Sequence, residues 1–270
     1  MLLGFVTAGA ASDRRQSRVA RNDIGGAGPG KATPRIASRK LDSAAQPGDA
    51  RSIARKGREM LFDFTTLSAQ DRYKLLVSTV VPRPIAWVVT LDQQGRLNAA
   101  PYSFFNVFSG EPPVVCIGIG GRKPGDAKDT GNNIRTTGQF VVNLVSEETA
   151  TQMNITAIEF DSDVDEIHEA RLETIPSTKV APPRIASSPV ALECERFTTL
   201  EIANDRALVL GRVLALHVKD DAVMNVERCY IDTPKLNLIG RMHGAGWYTR
   251  TTDRFEMPRI PVDEWARRND

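Results

Sequence analysis

A mainly β fold, a closed antiparallel barrel with helical decorations, is what the 270-residue sequence predicts. Three features carry that expectation: several β-branched and aromatic runs punctuated by turn residues, few helical segments, and no internal repeat. The lack of a repeat removes solenoids and propellers. The first helix opens at Ser68-Ala69-Gln70-Asp71, with Ser68 as cap, Asp71 favourable in the first turn, and Tyr73, Leu76, Val77 and Val80 near one face. Pro82 and Pro84 stop it.

Residues 85–91 form a strand by their β-branched and aromatic content, and Asp92-Gln93-Gln94-Gly95 turns the chain into Arg96-Leu97-Asn98-Ala99-Ala100 as a hairpin. Residues 114–119 and 140–145 are short and nearly all apolar, the character of strands buried on both faces. Between them the sequence predicts a polar loop and a short helix, capped by Asp129 or Thr130 and ended at Gly138. Ser146-Glu147-Glu148-Thr149 predicts a further helix of about ten residues with both glutamates at its positive end. An acidic, then Pro-rich crossing over 158–188 leads to two longer alternating strands, 190–199 and 207–218. A late strand, 237–240, and a turn at Gly244-Ala245-Gly246 precede Trp247-Tyr248-Thr249.

Charge divides the chain. Residues 1–59 hold 12 Lys and Arg against 5 Asp and Glu, so residues 60–270 hold 23 against 28 and are mildly acidic. Only Phe5 of the 17 aromatic residues precedes Met60. The first 59 residues, rich in Ala, Gly, Arg and Ser, therefore predict a disordered basic extension, and residues 60–270 the folded domain. An apolar start with arginines behind it reverses the order of a secretory signal. An upstream stretch ahead of a start at Met60 is favoured over an organelle transit peptide, and the segment lacks the aromatic interleaving of a nucleic-acid arm.

Cys116, Cys194 and Cys229 lie far apart with no C-x-x-C pair and read as reduced core thiols, which fits a cytoplasmic protein. His168, His217 and His243 are too scattered for a zinc site. No run of eighteen apolar residues is present to span a membrane. Neither G-x-x-x-x-G-K-[ST] nor G-x-G-x-x-G occurs, and nucleophile-elbow and H-E-x-x-H signatures are missing, so nothing anchors a Rossmann fold or hydrolase chemistry.

Two polar islands remain. Asn98-Ala99-Ala100-Pro101-Tyr102-Ser103-Phe104-Phe105-Asn106-Val107-Phe108-Ser109 mixes small, hydroxyl and aromatic residues, which lets a flat ligand approach the backbone while aromatic rings cover its apolar surface. Read by itself it is equally an ordinary strand leading into a loop. Arg122 through Asn133 is a cationic stretch ahead of a helix start, suited to a phosphate and equally compatible with a solvated, capped loop.

Together, Val81-Pro82-Arg83-Pro84-Ile85-Ala86-Trp87-Val88, the stretch from Asn98 to Asn106 with Ser109 and Pro112-Pro113, Lys128-Asp129-Thr130 with Asn133, and Gly138 through Asn143 resemble the flavin reductase-like proteins with the FMN-binding split-barrel fold. The resemblance runs from about Met60 to Tyr248. It implies a homodimer with FMN near the subunit interface. It assigns Ser103, Phe104, Phe105 and Asn106 to ring and ribityl contacts, Ser109 to a hydroxyl donor, and Lys128, Asp129 and Thr130 to the phosphate end, with Arg83 and Thr90 as further cofactor-binding candidates. Arg83 reads equally as a surface ion-pair partner. His243 and His217 are expected to pack or be solvated rather than to transfer protons, and no residue is assigned as catalytic.

The implied activity is transfer of hydride from NADH or NADPH to flavin, with the reduced flavin passing electrons to an acceptor or a partner monooxygenase. An FMN-binding electron-transfer protein without its own NAD(P)H site is the alternative. A split barrel that has lost its flavin is a third.

Overall fold

The computed structural model describes residues 53–56, 59–121, 128–161, 163–203 and 205–268. The expected disordered extension lies, up to residue 52, outside the described residues, as does the first half of the cationic stretch, 122–127. Strand β1 (Ile53–Lys56) pairs antiparallel with β2 (Glu59–Phe62), so paired backbone begins upstream of Met60.

Helix α1 (Ala69–Thr79) follows, with the Ser68 hydroxyl accepting from the Asp71 amide. Its apolar face is not an inward one: Val77 is buried, whereas Tyr73, Leu76 and Val80 stand exposed. The chain then forms β3 (Ala86–Leu91), β4 (Leu97–Tyr102), β5 (Phe105–Gly110) and β6 (Pro113–Gly120). Helix α2 (Asp129–Thr137), β7 (Gln139–Leu144), α3 (Ala150–Ile155), α4 (Glu166–Glu169) and the two-residue strands β8 (Thr174–Ile175) and β9 (Arg184–Ile185) come next. The long hairpin β10 (Val190–Ala203) and β11 (Arg206–Val218) precedes β12 (Val223–Asn225), β13 (Tyr230–Ile231), β14 (Ile239–Arg241), β15 (Tyr248–Arg250) and α5 (Val262–Arg267).

Seven strands make one antiparallel sheet in the order β4-β3-β7-β10-β11-β6-β5. Its two edge strands, β4 and β5, are consecutive in the chain and separated only by Ser103 and Phe104. Laid flat, seven strands would hold their edges roughly 29 Å apart, whereas the link from Tyr102 to Phe105 reaches roughly 11 Å. The sheet must curl until its edges meet. At that corner the Gly118 amide donates to the Phe104 carbonyl at 2.7 Å. The result is a mainly β barrel closed at the corner, as the sequence predicts.

Both faces of β3 and β7 are covered, which is why their sequences are almost continuously apolar. Val88, Phe140 and Val142 point into the barrel with Ile117, Leu192 and Val209. Trp87, Val89 and Val141 point outward into a second core with Met153 of α3, Ile167 of α4 and Ile185. The Trp87 indole N–H donates to the Thr156 hydroxyl at 2.9 Å. Phe140 occupies the space above Gly211 on β11, where a Cβ would clash with the tip of its ring.

Three local expectations are corrected. Helix α2 begins at Asp129 with Lys128 as its N-cap residue, and neither Asp129 nor Thr130 caps it. Residues 146–149 form a turn rather than helix: the Thr149 hydroxyl accepts from the Ser146 amide, and α3 is only six residues long. Cys194 and Cys116 are buried thiols, with burial pushing both pKa values up, but Cys229 is exposed.

The Pro-rich crossing is held to the barrel by two buried polar side chains. Asn143 donates to the Trp87 carbonyl (3.1 Å) and accepts from the Ile185 amide (3.0 Å). Glu193 accepts from the Thr178 and Lys179 amides (2.8 and 2.5 Å) and lies 2.6 Å from His217 Nε2, giving that histidine the structural role the sequence suggests. Burial pushes the Glu193 carboxyl up, but these donors outweigh it and hold the group below the usual carboxylate range. With the folded pKa depressed, its stabilisation is present above the unfolded pKa of about 4.3 and is lost as pH falls through the folded value. Glu193→Gln is therefore expected to destabilise the protein by about 1–3 kcal/mol at pH 7, with the gap to the native protein narrowing below about pH 4. Urea unfolding at a series of pH values measures both.

Candidate functional site

Strand β4 is an edge, so its outer side is available to be built upon. Asn98, Ala100 and Tyr102 share one face of the strand and Ala99 and Pro101 the other, by the two-residue period of the pleat. Against this edge stand the start of α2, the end of α3 and α4, and they enclose two adjoining cavities. One, of about 270 Å³, is lined by Ile85, Tyr102, Ser103, Met153, Arg241 and Tyr248 among others. The other, of about 50 Å³, is lined by Asn98, Ala100, Lys128, Asp129, Thr130 and Glu166 among others. Pro101, Tyr102 and Ala157 line both, so the two form one cleft along β4.

The cleft is chemically graded. At one end Arg241 lies over the Tyr248 ring, 4.6 Å from its centroid, and donates to the Gly244 and Ala245 carbonyls. At the other, the Lys128 ammonium stands 5.6 Å from the centroid of Tyr102 at the start of α2, a nine-residue helix without a side-chain cap. A cation, a helix start and small residues (Ala100, Pro101, Ala157) beside an aromatic ring suit a flat ligand carrying an anionic tail, with the Asp129, Glu159 and Glu166 carboxylates lining the same end. These residues fit a flavin phosphate.

Behind the cleft lies a buried polar network. Thr130, only 1% exposed, donates its hydroxyl to Asn98 Oδ1 at 2.7 Å. Asn98 Nδ2 donates to Glu166 (2.9 Å), the Ala99 amide donates to the same carboxylate (3.1 Å), and Asn133 Nδ2 donates to the Thr90 hydroxyl (3.0 Å). Burial pushes the Glu166 carboxyl up.

The structure thus brings Ser103, Lys128, Asp129 and Thr130 to one cleft. Thr90 is wholly buried in the network behind it. Phe105 packs at the margin of the barrel core, Asn106 is exposed and accepts from the Val107 amide, and Ser109 sits at a bulge of β5, away from the two cavities. Phe104 is exposed, with its ring 6.2 Å from that of Tyr73. His243 stacks on Trp247, a packing role.

Arg83 is not a surface ion-pair partner. It is buried, and its guanidinium donates to the Val77 and Val80 carbonyls (2.7 and 2.9 Å), to Met242 O (3.0 Å) and to Ser103 Oγ (3.4 Å). Burial lowers its pKa, with the like charge of Arg241 adding to that. One side chain thus joins the end of α1, the 242–247 loop and the cleft's Ser103, beside backbone pairing between Arg83 and Arg241.

Sequence reasoning placed Tyr102 and Asn98 within a polar island without giving either a contact, and gave no individual role to Glu166, Arg241 or Tyr248. The alternation of Asn98, Ala100 and Tyr102 along β4 carried a signal for the first two. Glu166 carried none, being one acid among many in the crossing.

A family model, the flavin reductase like domain, matches residues 77–234, and the chain belongs to that family. It is 44% identical over 208 residues to an uncharacterized protein of Deinococcus radiodurans, covering 76% of this chain and 91% of that one. Among solved structures it is similar to a Pseudomonas fluorescens 2-nitrobenzoate 2-nitroreductase (32% identity, TM-score 0.68, 75% of this chain and 96% of the other). It is similar also to nitrilotriacetate monooxygenase component B from Bacillus cereus (29%, TM-score 0.69, 75% and 100%). A split barrel domain from Shewanella frigidimarina shares the fold at 21% identity and a TM-score of 0.63. The protein is a flavin reductase-like split barrel, and no described helix is long and apolar enough to cross a membrane.

The fork of Arg83 cannot be reproduced by a single ammonium, whose donors radiate from one point. Arg83→Lys is expected to cost about 2–3 kcal/mol by leaving buried carbonyls unpaired, read as a lowered urea midpoint with the far-ultraviolet circular dichroism retained. A loss below about 0.5 kcal/mol would remove Arg83 as the joint of this region.

Proposed function

We propose that this protein is an FMN-dependent oxidoreductase in which NADH or NADPH reduces the flavin and the reduced flavin passes electrons to an acceptor or a partner monooxygenase. The observation that carries the reading is the single cleft along β4, aromatic and small-residue lined at its centre, with the Lys128 ammonium at the uncapped start of α2. Membership of the flavin reductase-like family supports it. Lys128 neutralises the phosphate as a mobile point charge, with Asp129 and Thr130 contributing through the helix start rather than through the acidic side chain. Ser103 takes a polar edge of the ring, its hydroxyl proton left available because Arg83 donates to its oxygen.

Flavin, when bound, supplies the hydride acceptor, so the protein's task is stacking and distance control. The candidates outside the cleft, Phe104, Phe105, Asn106 and Ser109, would reach a cofactor bound at a homodimer interface. Two features favour such a dimer: β5 is an edge strand of the sheet, paired with β6, and Val107 and Phe108 on it and Tyr73, Leu76 and Val80 on and just after α1 are exposed apolar residues. The names of the similar structures, a nitroreductase and a monooxygenase component, give the two fates considered for the electrons: a bound nitroaromatic acceptor or a partner enzyme. A cytoplasmic setting is part of the same reading.

The fresh protein is expected to be yellow, or to become so with added FMN, and one nicotinamide should bleach it rapidly under anaerobic titration. Yellow protein that neither NADH nor NADPH bleaches would leave an electron-transfer protein instead. Lys128→Ala is expected to raise the FMN dissociation constant at least about tenfold, the loss of one charge-assisted contact, with the sedimentation coefficient of the dimer unchanged. Unaltered FMN affinity would overturn the phosphate assignment.

A further inference from the structure

Of all the buried ionisable groups near the cleft, Glu166 has the least obvious reason to be there. It is 6% exposed, and among the described residues no cation pairs with it. Buried carboxylates are costly unless their acceptor capacity is used. Here one oxygen accepts from the Ala99 amide, an outward-facing N–H of the edge strand β4, and the other from Asn98 Nδ2.

The second contact fixes a polarity. Asn98 presents its NH₂ to the Glu166 carboxyl, whose other oxygen already accepts from the Ala99 amide, and turns Oδ1 to the far side. On that side is the Thr130 hydroxyl, 2.7 Å away, which must donate because Oδ1 cannot. The chain from Glu166 through Asn98 to Thr130 therefore has a single direction, set at its carboxylate end. It terminates on the second residue of α2, beside Lys128.

We propose that Glu166 is a positioning residue of the phosphate end of the cleft: by orienting Asn98 it locks Thr130 and hence the first turn of α2 in the geometry that receives the phosphate. This rests on the flavin reading above. Glutamine at 166 offers one acceptor where two donors wait, and it can present an NH₂ to a flipped Asn98. The directional lock is lost at nearly constant volume.

The experiment compares FMN with riboflavin, which carries the same ring and ribityl chain without the phosphate, by equilibrium dialysis against full-length native and Glu166→Gln proteins. The native protein is expected to bind FMN more tightly. Glu166→Gln should weaken FMN roughly tenfold while riboflavin affinity stays within about twofold, so that the preference collapses. A merely structural role would weaken both ligands together. An unchanged preference, whether both affinities fall or neither moves, overturns the proposal. A native protein that binds flavin without preferring FMN overturns the phosphate reading itself, and one that binds neither overturns the flavin reading; the proposal falls in either case. Should Glu166→Gln not fold, Asn98→Ser cuts the same chain one step later and carries the same expectation and the same overturning result.

Discussion

The fold depends on the two-residue link of Ser103 and Phe104. It joins strands that stand at opposite ends of the sheet order, so the sheet has no flat solution and the barrel closes there. Closure at one corner leaves the rest of the β4 edge without a strand neighbour, and an edge must be satisfied by something else. Glu166 caps one of its outward amides, while α2 and the end of α3 wall the space beside it. The cleft is thus a consequence of how the barrel closes.

Three buried charged side chains do different work around that frame. Glu193 gathers two loop amides and His217 and so fastens the Pro-rich crossing to β10. Arg83 gathers three carbonyls and a hydroxyl from segments far apart in sequence, joining α1 to the 242–247 loop beside the cleft. Glu166 gathers one amide and one side chain and passes its polarity on to Thr130. Each spends its charge on several hydrogen bonds rather than on an ion pair alone, the condition under which burial of a charged group is tolerated. The last two converge on the cleft from opposite ends.

Under the proposed reading, hydride transfer between stacked rings asks for positioning more than for acid-base machinery. What the cleft offers is shape, an aromatic wall and a localised cation. The exposed apolar face formed by β5 and the outer side of α1 is separate from this chemistry but adjoins it through Phe104, whose ring lies near that of Tyr73. Under the proposed reading, cofactor binding and association of two copies share the Ser103-Phe104 corner.

Much was legible before any coordinates. Local composition marked the main strands, because short apolar runs such as 114–119 and 140–145 suit a doubly covered sheet, and the turn at Asp92–Gly95 and the stop at Gly138 are set by residues whose backbone preferences act within a few positions. The short-range order of Ser103 and of Lys128-Asp129-Thr130 pointed to a ligand. Where the reading went astray, the deciding partner was distant. Tyr73, Leu76 and Val80 have a helical period that says they share a face but not what covers it, and the Arg83 side chain is claimed by carbonyls up to Met242. Sequence alone determined the main strands and the helices α1 and α2, since those energies are local. Only the tertiary structure decided the strand order, the closure and the pairing of Glu166 with Asn98, since these depend on contacts between residues that the chain brings together only after it has folded.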